Sequence, residues 1–212
     1  EPETLQITKA DLDKVRQLNL NGTEVTDASL KEVAKLKQLF SLELEGTQIT
    51  DIGLKELAKL QQLTYLRLGN TKVTGIGLKE LAKCKKLKQL HLDFTKTTDT
   101  GLKEVAKLQQ LFVLTLSHTK ITDAGLKEVA KLQRLSKLIL NDTQITDAGL
   151  KEVTKLRLRV LELNNTKITD AGLKEMAKMK QLTSLDLWGT QITDAGLKEV
   201  ARMKHLTSLT LI

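Results

Sequence analysis

The stretch TQITDAGLKEV at residues 143–153 recurs letter for letter at residues 190–200, and near-copies of it punctuate the whole chain. Its first threonine marks a register: Thr23, Thr47, Thr71, Thr95, Thr119, Thr143, Thr166 and Thr190 stand 24 residues apart, except for a step of 23 between Thr143 and Thr166. Working outward gives the pattern L-x-x-L-x-L-x-x-T-x-I-T-D-x-G-L-K-E-x-A-K-L. Leu39, Leu42, Leu44, Thr47 and Ile49 make an early copy, and Leu182, Leu185, Leu187, Thr190 and Ile192 a late one. A fixed period of this length signals a stack of supersecondary units rather than a single globular core.

Each copy contains two hydrophobic periods. The L-x-L step, as in Leu42-Glu43-Leu44, alternates like a strand with every second side chain inward. The segment after it reads as a short helix, because Leu30, Val33 and Ala34 fall at i, i+3 and i+4 on one face. Thr26-Asp27 marks its start, with side-chain oxygens expected to accept from the free first-turn amides. Glu32 and Lys35 stand three apart on the exposed face. That pairing recurs in every later copy through Glu199 and Arg202, each pair contributing a few tenths of a kcal/mol. A strand and helix in about 24 residues cannot bury their apolar faces alone. Stacked copies can, with strands in one parallel sheet and helices outside it.

On these residues the chain resembles the leucine-rich-repeat family over nearly its whole length. The I-T-D-x-G-L element is similar to that of the cysteine-containing subtype and of bacterial repeats, with threonine where Asn or Cys is usual. The resemblance implies an α/β fold: a right-handed solenoid arc with a parallel sheet on the concave face and short helices on the convex face. It also implies scaffolding and receptor roles without catalysis. The threonine hydroxyl is expected to bond neighbouring turns, forming a ladder through the stack. Residues 1–212 read as one domain, with 1–16 a shortened polar N-terminal cap and 17–212 the repeats. The last strand, Leu209-Thr210-Leu211, reads as uncapped, so the expectation is either that the natural protein continues or that the raw edge pairs end to end with another copy.

Composition narrows the function classes. Apolar residues are 40% of the chain and aromatics 2%, with one proline, which suits an aliphatic template copied many times better than an enzyme pocket. The single cysteine, Cys84, excludes an intrachain disulfide and fills the slot of Leu60, Leu108 and Leu132, so it reads as a small buried hydrophobe. No run of 18 apolar residues occurs to span a membrane. No phosphate loop, nucleophile elbow, H-E-x-x-H or C-x-x-C pattern is present, so no catalytic residue, cofactor or metal is assigned.

Variation between copies locates the candidate site. Leu-Lys-Glu occurs in all eight full copies, whereas the outward strand positions differ in each. They carry Tyr65 and Arg67, then His91 and Asp93, then Lys137 and Ile139, then Glu162, then Asp186 and Trp188; Phe94 and His118 lie beside them. Exposed aromatic and aliphatic groups of this kind are enriched among binding hot spots, and these residues are the expected contacts for a protein or peptide. Neutral drift on a scaffold without a cognate ligand is the alternative, with Phe40 and Phe112 merely filling gaps between strands. The net charge of +8 does not point to a specific nucleic acid, because the lysines concentrate on the helices while the strand positions are mildly acidic. His91, Asp93 and His118 carry metal-ligand chemistry, but ordinary polar surface is the simpler account.

Three irregularities stand out. Thr97 takes the slot of Ile49 and Ile121, a polar residue where the core expects a branched aliphatic. Gly75 replaces the helix-start aspartate and should loosen that cap by about 0.5–1 kcal/mol or less, since the preceding Thr74 can also cap. Asn21-Gly22-Thr23, Asn141-Asp142-Thr143 and Asn164-Asn165-Thr166 match the glycosylation pattern, but the repeat generates them wherever Asn falls two residues before the fixed threonine.

Overall fold

The computed structural model describes residues 14–211. Nine three-residue strands form one parallel sheet in strict chain order: β1 Gln17–Asn19, β2 Ser41–Glu43, β3 Tyr65–Arg67, β4 Gln89–His91, β5 Val113–Thr115, β6 Lys137–Ile139, β7 Val160–Glu162, β8 Ser184–Asp186 and β9 Ser208–Thr210. Between them lie α1 Asp27–Val33, α2 Leu54–Leu57, α3 Leu78–Leu81, α4 Asp99–Val105, α5 Asp123–Val129, α6 Asp147–Val153, α7 Asp170–Met176 and α8 Asp194–Val200. The sheet does not close on itself. The expected N-terminal cap falls almost wholly outside the described residues.

Register is set by the leucines. Leu42 of β2 pairs with Leu66 of β3, and the middle residue of each strand continues this row from Leu18 to Leu209. In one copy Leu39, Leu42, Leu44, Ile49, Leu54, Leu57 and Leu60 are all fully buried, and the equivalent residues of successive copies merge into one continuous core. Each such side chain contributes about 1.5–3 kcal/mol on burial, so stability accrues copy by copy. The short step between Thr143 and Thr166 removes a residue from the turn that leads into β7. Leu138 still pairs with Leu161, and Arg159 N still donates to Ser136 O at 2.8 Å, so the register survives.

Two local expectations are corrected. The fixed threonine does not bond between copies: Thr47 Oγ1 donates to Leu44 O of its own turn at 2.6 Å, and Thr119 and Thr166 repeat the arrangement at 2.6 Å. The hydroxyl and its own backbone N–H both point at that carbonyl, closing the turn after the strand. The link between copies runs instead through the helix-start aspartate. Asp27 Oδ1 accepts from Thr50 N at 2.9 Å and Oδ2 from Thr50 Oγ1 at 2.6 Å. Asp51–Thr74, Asp99–Thr122, Asp123–Thr146, Asp147–Thr169 and Asp170–Thr193 follow the same plan. Because the threonine hydroxyl gives its proton to the carboxylate, its oxygen is left to accept from a helix amide, as Thr146 does from Ala148 N at 3.2 Å. Thr122, Thr146, Thr169 and Thr193 therefore cap α5 to α8, and aspartate staples each cap to the preceding copy. At Thr26-Asp27 the expected cap is corrected: Thr26 makes no side-chain cap bond, and both Asp27 oxygens bond Thr50 instead of first-turn amides.

The irregular copies follow from the same geometry. With Gly75 in the aspartate slot, Thr98 caps nothing, and its hydroxyl lies 2.9 Å from that of Thr100. The cost of Gly75 thus falls at the junction with the next copy and not on its own helix, where Thr74 still accepts from Ile76 N at 3.3 Å. Helices α2 and α3 are four residues long where the others have seven. Both begin beside β-branched Ile52 or Ile76 in the slot that most copies fill with alanine, which lowers helix propensity in the first turn. Thr97 is fully buried and satisfied by Thr95, hydroxyl to hydroxyl, at 2.8 Å. Cys84 is buried as expected, and burial pushes its thiol up to about 11.

Candidate functional site

Alternation along β2 to β8 sends the residues flanking the buried leucine to the opposite face of the sheet, where they are half-buried except for the buried Thr115. Parallel in-register pairing lines them up in rows across the copies. One row runs Glu43, Arg67, His91, Thr115, Ile139, Glu162, Asp186. Tyr65 and Lys137 lie in the row on its N-terminal side. Asp93 and Trp188 lie beyond the C-terminal ends of β4 and β8, and Phe94 and His118 begin the turns that follow β4 and β5. The residues expected to make contacts therefore share one face, although they fall into two clusters.

The first cluster is centred on Arg67. Its guanidinium meets Glu45 Oε2 at 2.6 Å and Glu43 Oε2 at 3.8 Å. The ring of Tyr65 packs against His91 with centroids 5.3 Å apart and planes tilted by 48°. Burial raises the Tyr65 hydroxyl above its ordinary range, against the nearby Arg67 charge, which lowers it. Burial likewise holds His91 below its ordinary range, while Asp93 pulls the other way. Thr115 joins His91 to Asp93: its hydroxyl is 3.2 Å from His91 Nδ1 and bonds Asp93 Oδ2. Arg67 Nε and His91 Nε2 are buried without a hydrogen-bond partner. Unpaired buried polar atoms are costly and call for an explanation.

The second cluster follows from backbone conformation. The position before each fixed threonine has positive φ: glycine at Gly22, Gly46 and Gly189, Asn or Asp at Asn70, Asp142 and Asn165, but Phe94 (φ 57°) and His118 (φ 54°) in the middle of the stack. Glycine adopts this region freely and Asn or Asp tolerate it, whereas bulky side chains are strained there by about 1–3 kcal/mol each. The Phe94 and His118 rings stack, 4.1 Å apart and 16° from parallel. His118 Nε2 lies 3.2 Å from Asp142 Oδ2, and Asn165 Nδ2 donates to Asp142 Oδ1 at 3.0 Å. This ridge walls an open groove whose other lining includes Asp93, Asn141, Asn164 and Trp188. Asn141 Oδ1 accepts from Asn164 N, and Asn164 Oδ1 from Trp188 N, each at 2.9 Å. Phe94 and Trp188 are 56% and 49% exposed, too much for core residues.

His118 turns toward Phe94 and Asp142 and not toward the His91–Asp93 pair. Among the described residues no three His, Cys, Asp or Glu side chains gather so as to hold a metal ion. The amides of Asn21, Asn141 and Asn164 donate to Glu43, Glu162 and Asp186, so the three glycosylation matches are occupied structurally. Phe112 is half exposed and does not merely fill a gap. Asp142 and Asn165 were not among the expected contacts. Their signal was available in the Gly, Asn and Asp that recur one residue before the threonine. The lysines pair on the helices with glutamates three residues earlier, as in Lys35–Glu32 and Lys131–Glu128, both at 2.6 Å, on the opposite surface.

The family described as leucine-rich repeat region matches residues 14–212, and the chain belongs to that family. Its members are generally protein-interaction modules without catalytic activity. No curated protein matches the sequence. Among solved structures the fold is similar to an internalin from Listeria monocytogenes (28% identity, TM-score 0.77), covering 95% of this chain and 56% of that one. It is also similar to internalin C2 of the same organism (30% identity, TM-score 0.76), covering 97% and 84%. A leucine-rich-repeat protein of Leptospira interrogans shares the fold at 23% identity, TM-score 0.67, covering 93% and 62%. The chain thus spans little more than half of the first of these neighbours.

Proposed function

We propose that this chain binds a protein or peptide partner through the concave sheet, with Tyr65, Arg67, His91, Lys137, Ile139 and Trp188 as central contacts and Asp93, Phe94, His118, Glu162 and Asp186 around them. The contrast between surfaces carries the reading. The helix side repeats Leu-Lys-Glu in every full copy, while the sheet face differs from copy to copy and exposes Phe94 and Trp188 beside a half-buried Tyr65. Strained backbone at Phe94 and His118 adds support, since glycine in that slot would serve the fold at lower cost. The verbatim repeat at residues 143–153 and 190–200 favours a second reading, a scaffold with no cognate ligand.

A pull-down at physiological salt with the parent chain and a Tyr65→Ala/Trp188→Ala variant, both checked for folding by circular dichroism, separates the two. A partner retained by the parent and lost by the variant supports the binding face. Identical profiles dominated by salt-labile polyanions favour the scaffold.

A further inference from the structure

Charge is distributed unevenly over the sheet face. Arg67 is neutralised by Glu43 and Glu45, and Lys137 lies 3.7 Å from Glu162. Asp93, Asp142 and Asp186 are held by threonine, serine, asparagine, histidine and backbone groups, and among the described residues no lysine or arginine pairs with them. Asp93 and Asp142 line the groove whose wall carries Phe94 and whose far end is Trp188. Elsewhere, lysines pair with glutamates three residues earlier, as in Lys59–Glu56, Lys107–Glu104 and Lys178–Glu175. A groove whose Asp93 and Asp142 have no lysine or arginine partner among the described residues, flanked by exposed rings, complements a partner that brings positive charge together with apolar side chains.

We infer that the groove between Phe94 and Trp188 takes an extended lysine- or arginine-bearing segment of a protein partner, its cations over Asp142, which lines the groove, and over Asp186, which borders it through Asn164 Nδ2 at 2.9 Å, and its apolar side chains against the two rings. This rests on the proposed use of the sheet face and names the chemistry of what binds there. Phe94 and Trp188 belong to copies four strands apart, about 19 Å at the usual strand spacing, which an extended segment of about six residues spans.

The test uses blocked decapeptides of one serine–leucine background carrying lysine, glutamine or glutamate at alternate positions, each with a fluorescent label for anisotropy. Trp188 is the sole tryptophan, so its emission reports occupancy of the groove directly. At about 0.15 M salt, where exposed charges beyond ~8 Å are screened, the lysine peptide is expected to bind at least about tenfold more tightly than the glutamine peptide. Its binding should shift Trp188 emission. Asp142→Asn/Asp186→Asn should remove that preference, so that lysine and glutamine peptides bind the variant with equal affinity; asparagine suits position 142, as Asn70 and Asn165 occupy the same left-handed slot. Equal affinity for lysine and glutamine peptides, preference for glutamate, no effect of the double variant, or no binding at all would overturn the inference. If the pull-down partner is lost by Tyr65→Ala/Trp188→Ala while lysine peptides show no preference, the charge assignment fails and the binding face stands. Anisotropy binding without a Trp188 response places the peptide elsewhere and overturns both.

Discussion

Asp123 of one copy grips Thr146 of the next with both carboxylate oxygens, Oδ1 on the backbone N–H at 2.8 Å and Oδ2 on the hydroxyl at 2.6 Å. The same threonine then caps α6, so one side chain couples the position of a helix to the copy before it. Charge-assisted hydrogen bonds contribute about 1.5–3 kcal/mol when sheltered and less when solvated. Asp123→Ala should therefore cost about 1–3 kcal/mol in urea unfolding. Asp123→Asn, which keeps an acceptor for Thr146 N and can donate to the hydroxyl, should cost less. Equal stability of the alanine variant and the parent would contradict the stapling role.

Gly75 is the natural gap in this series. Gly75→Asp should supply Thr98 with the carboxylate it lacks, free its oxygen to cap α4 and raise stability by about 1 kcal/mol. The two backbones must separate slightly, since a Cβ on Gly75 would lie 2.9 Å from Gly101 Cα, but the Asp–Gly junctions elsewhere show that this spacing is available. A lowered thermal midpoint would show that the glycine pair is packed too tightly to accept the staple.

The glycine of I-T-D-x-G-L answers to the same carboxylate. A Cβ on Gly149 would lie 2.8 Å from Asp123 Cα and collide with Asp123 Oδ1. Gly149→Ala should cost about 1–3 kcal/mol through overpacking. Gly46→Asn is the matched control: φ is +71°, nothing lies within 3.7 Å of a Cβ there, and other copies hold Asn in that slot. It should change stability by about 0.5 kcal/mol or less. Similar thermal midpoints for the two variants would sink the distinction.

Much of this was legible in the sequence. The 24-residue register, the buried leucines and the outward rows follow from two hydrophobic periods, so Leu42 and Arg67 stand where alternation puts them. The partners of Asp27 and the fixed threonines were not legible. A motif of adjacent residues says which groups are polar but not whether they bond within a copy or across the stack. Asp142 escaped notice for a related reason: its role depends on a backbone conformation and on His118, a neighbour 24 residues away. The sequence marks Phe94 and His118 only as aromatic or basic, and their strain is visible only in φ.

His91 makes stability sensitive to mild acid. Burial lowers its folded pKa below 6.5, so between that folded value and 6.5 the unfolded chain binds more protons. Stability should fall as pH drops through this window, with no further loss from His91 once both states are protonated. His91→Gln should flatten the fall of the thermal midpoint as pH drops below 6.5 relative to the parent. Parallel curves for the two proteins would rule out His91 as the source.

Cys84 should resist alkylation in the folded protein, being fully buried with a thiol raised to about 11. Iodoacetamide labelling followed by mass spectrometry is expected to modify it only after denaturation. Rapid labelling of the native chain would place the third and fourth copies in an open arrangement.

The most direct test of the binding face is the affinity of the captured partner for two folded variants, measured by calorimetry. Tyr65→Ala/Trp188→Ala should weaken binding by about 2 kcal/mol or more, roughly 30-fold in Kd, whereas Lys55→Glu/Lys79→Glu/Lys103→Glu on the helices should change it by less than about threefold. Unchanged affinity in the first variant with loss in the second would move the site to the helix surface and contradict the account.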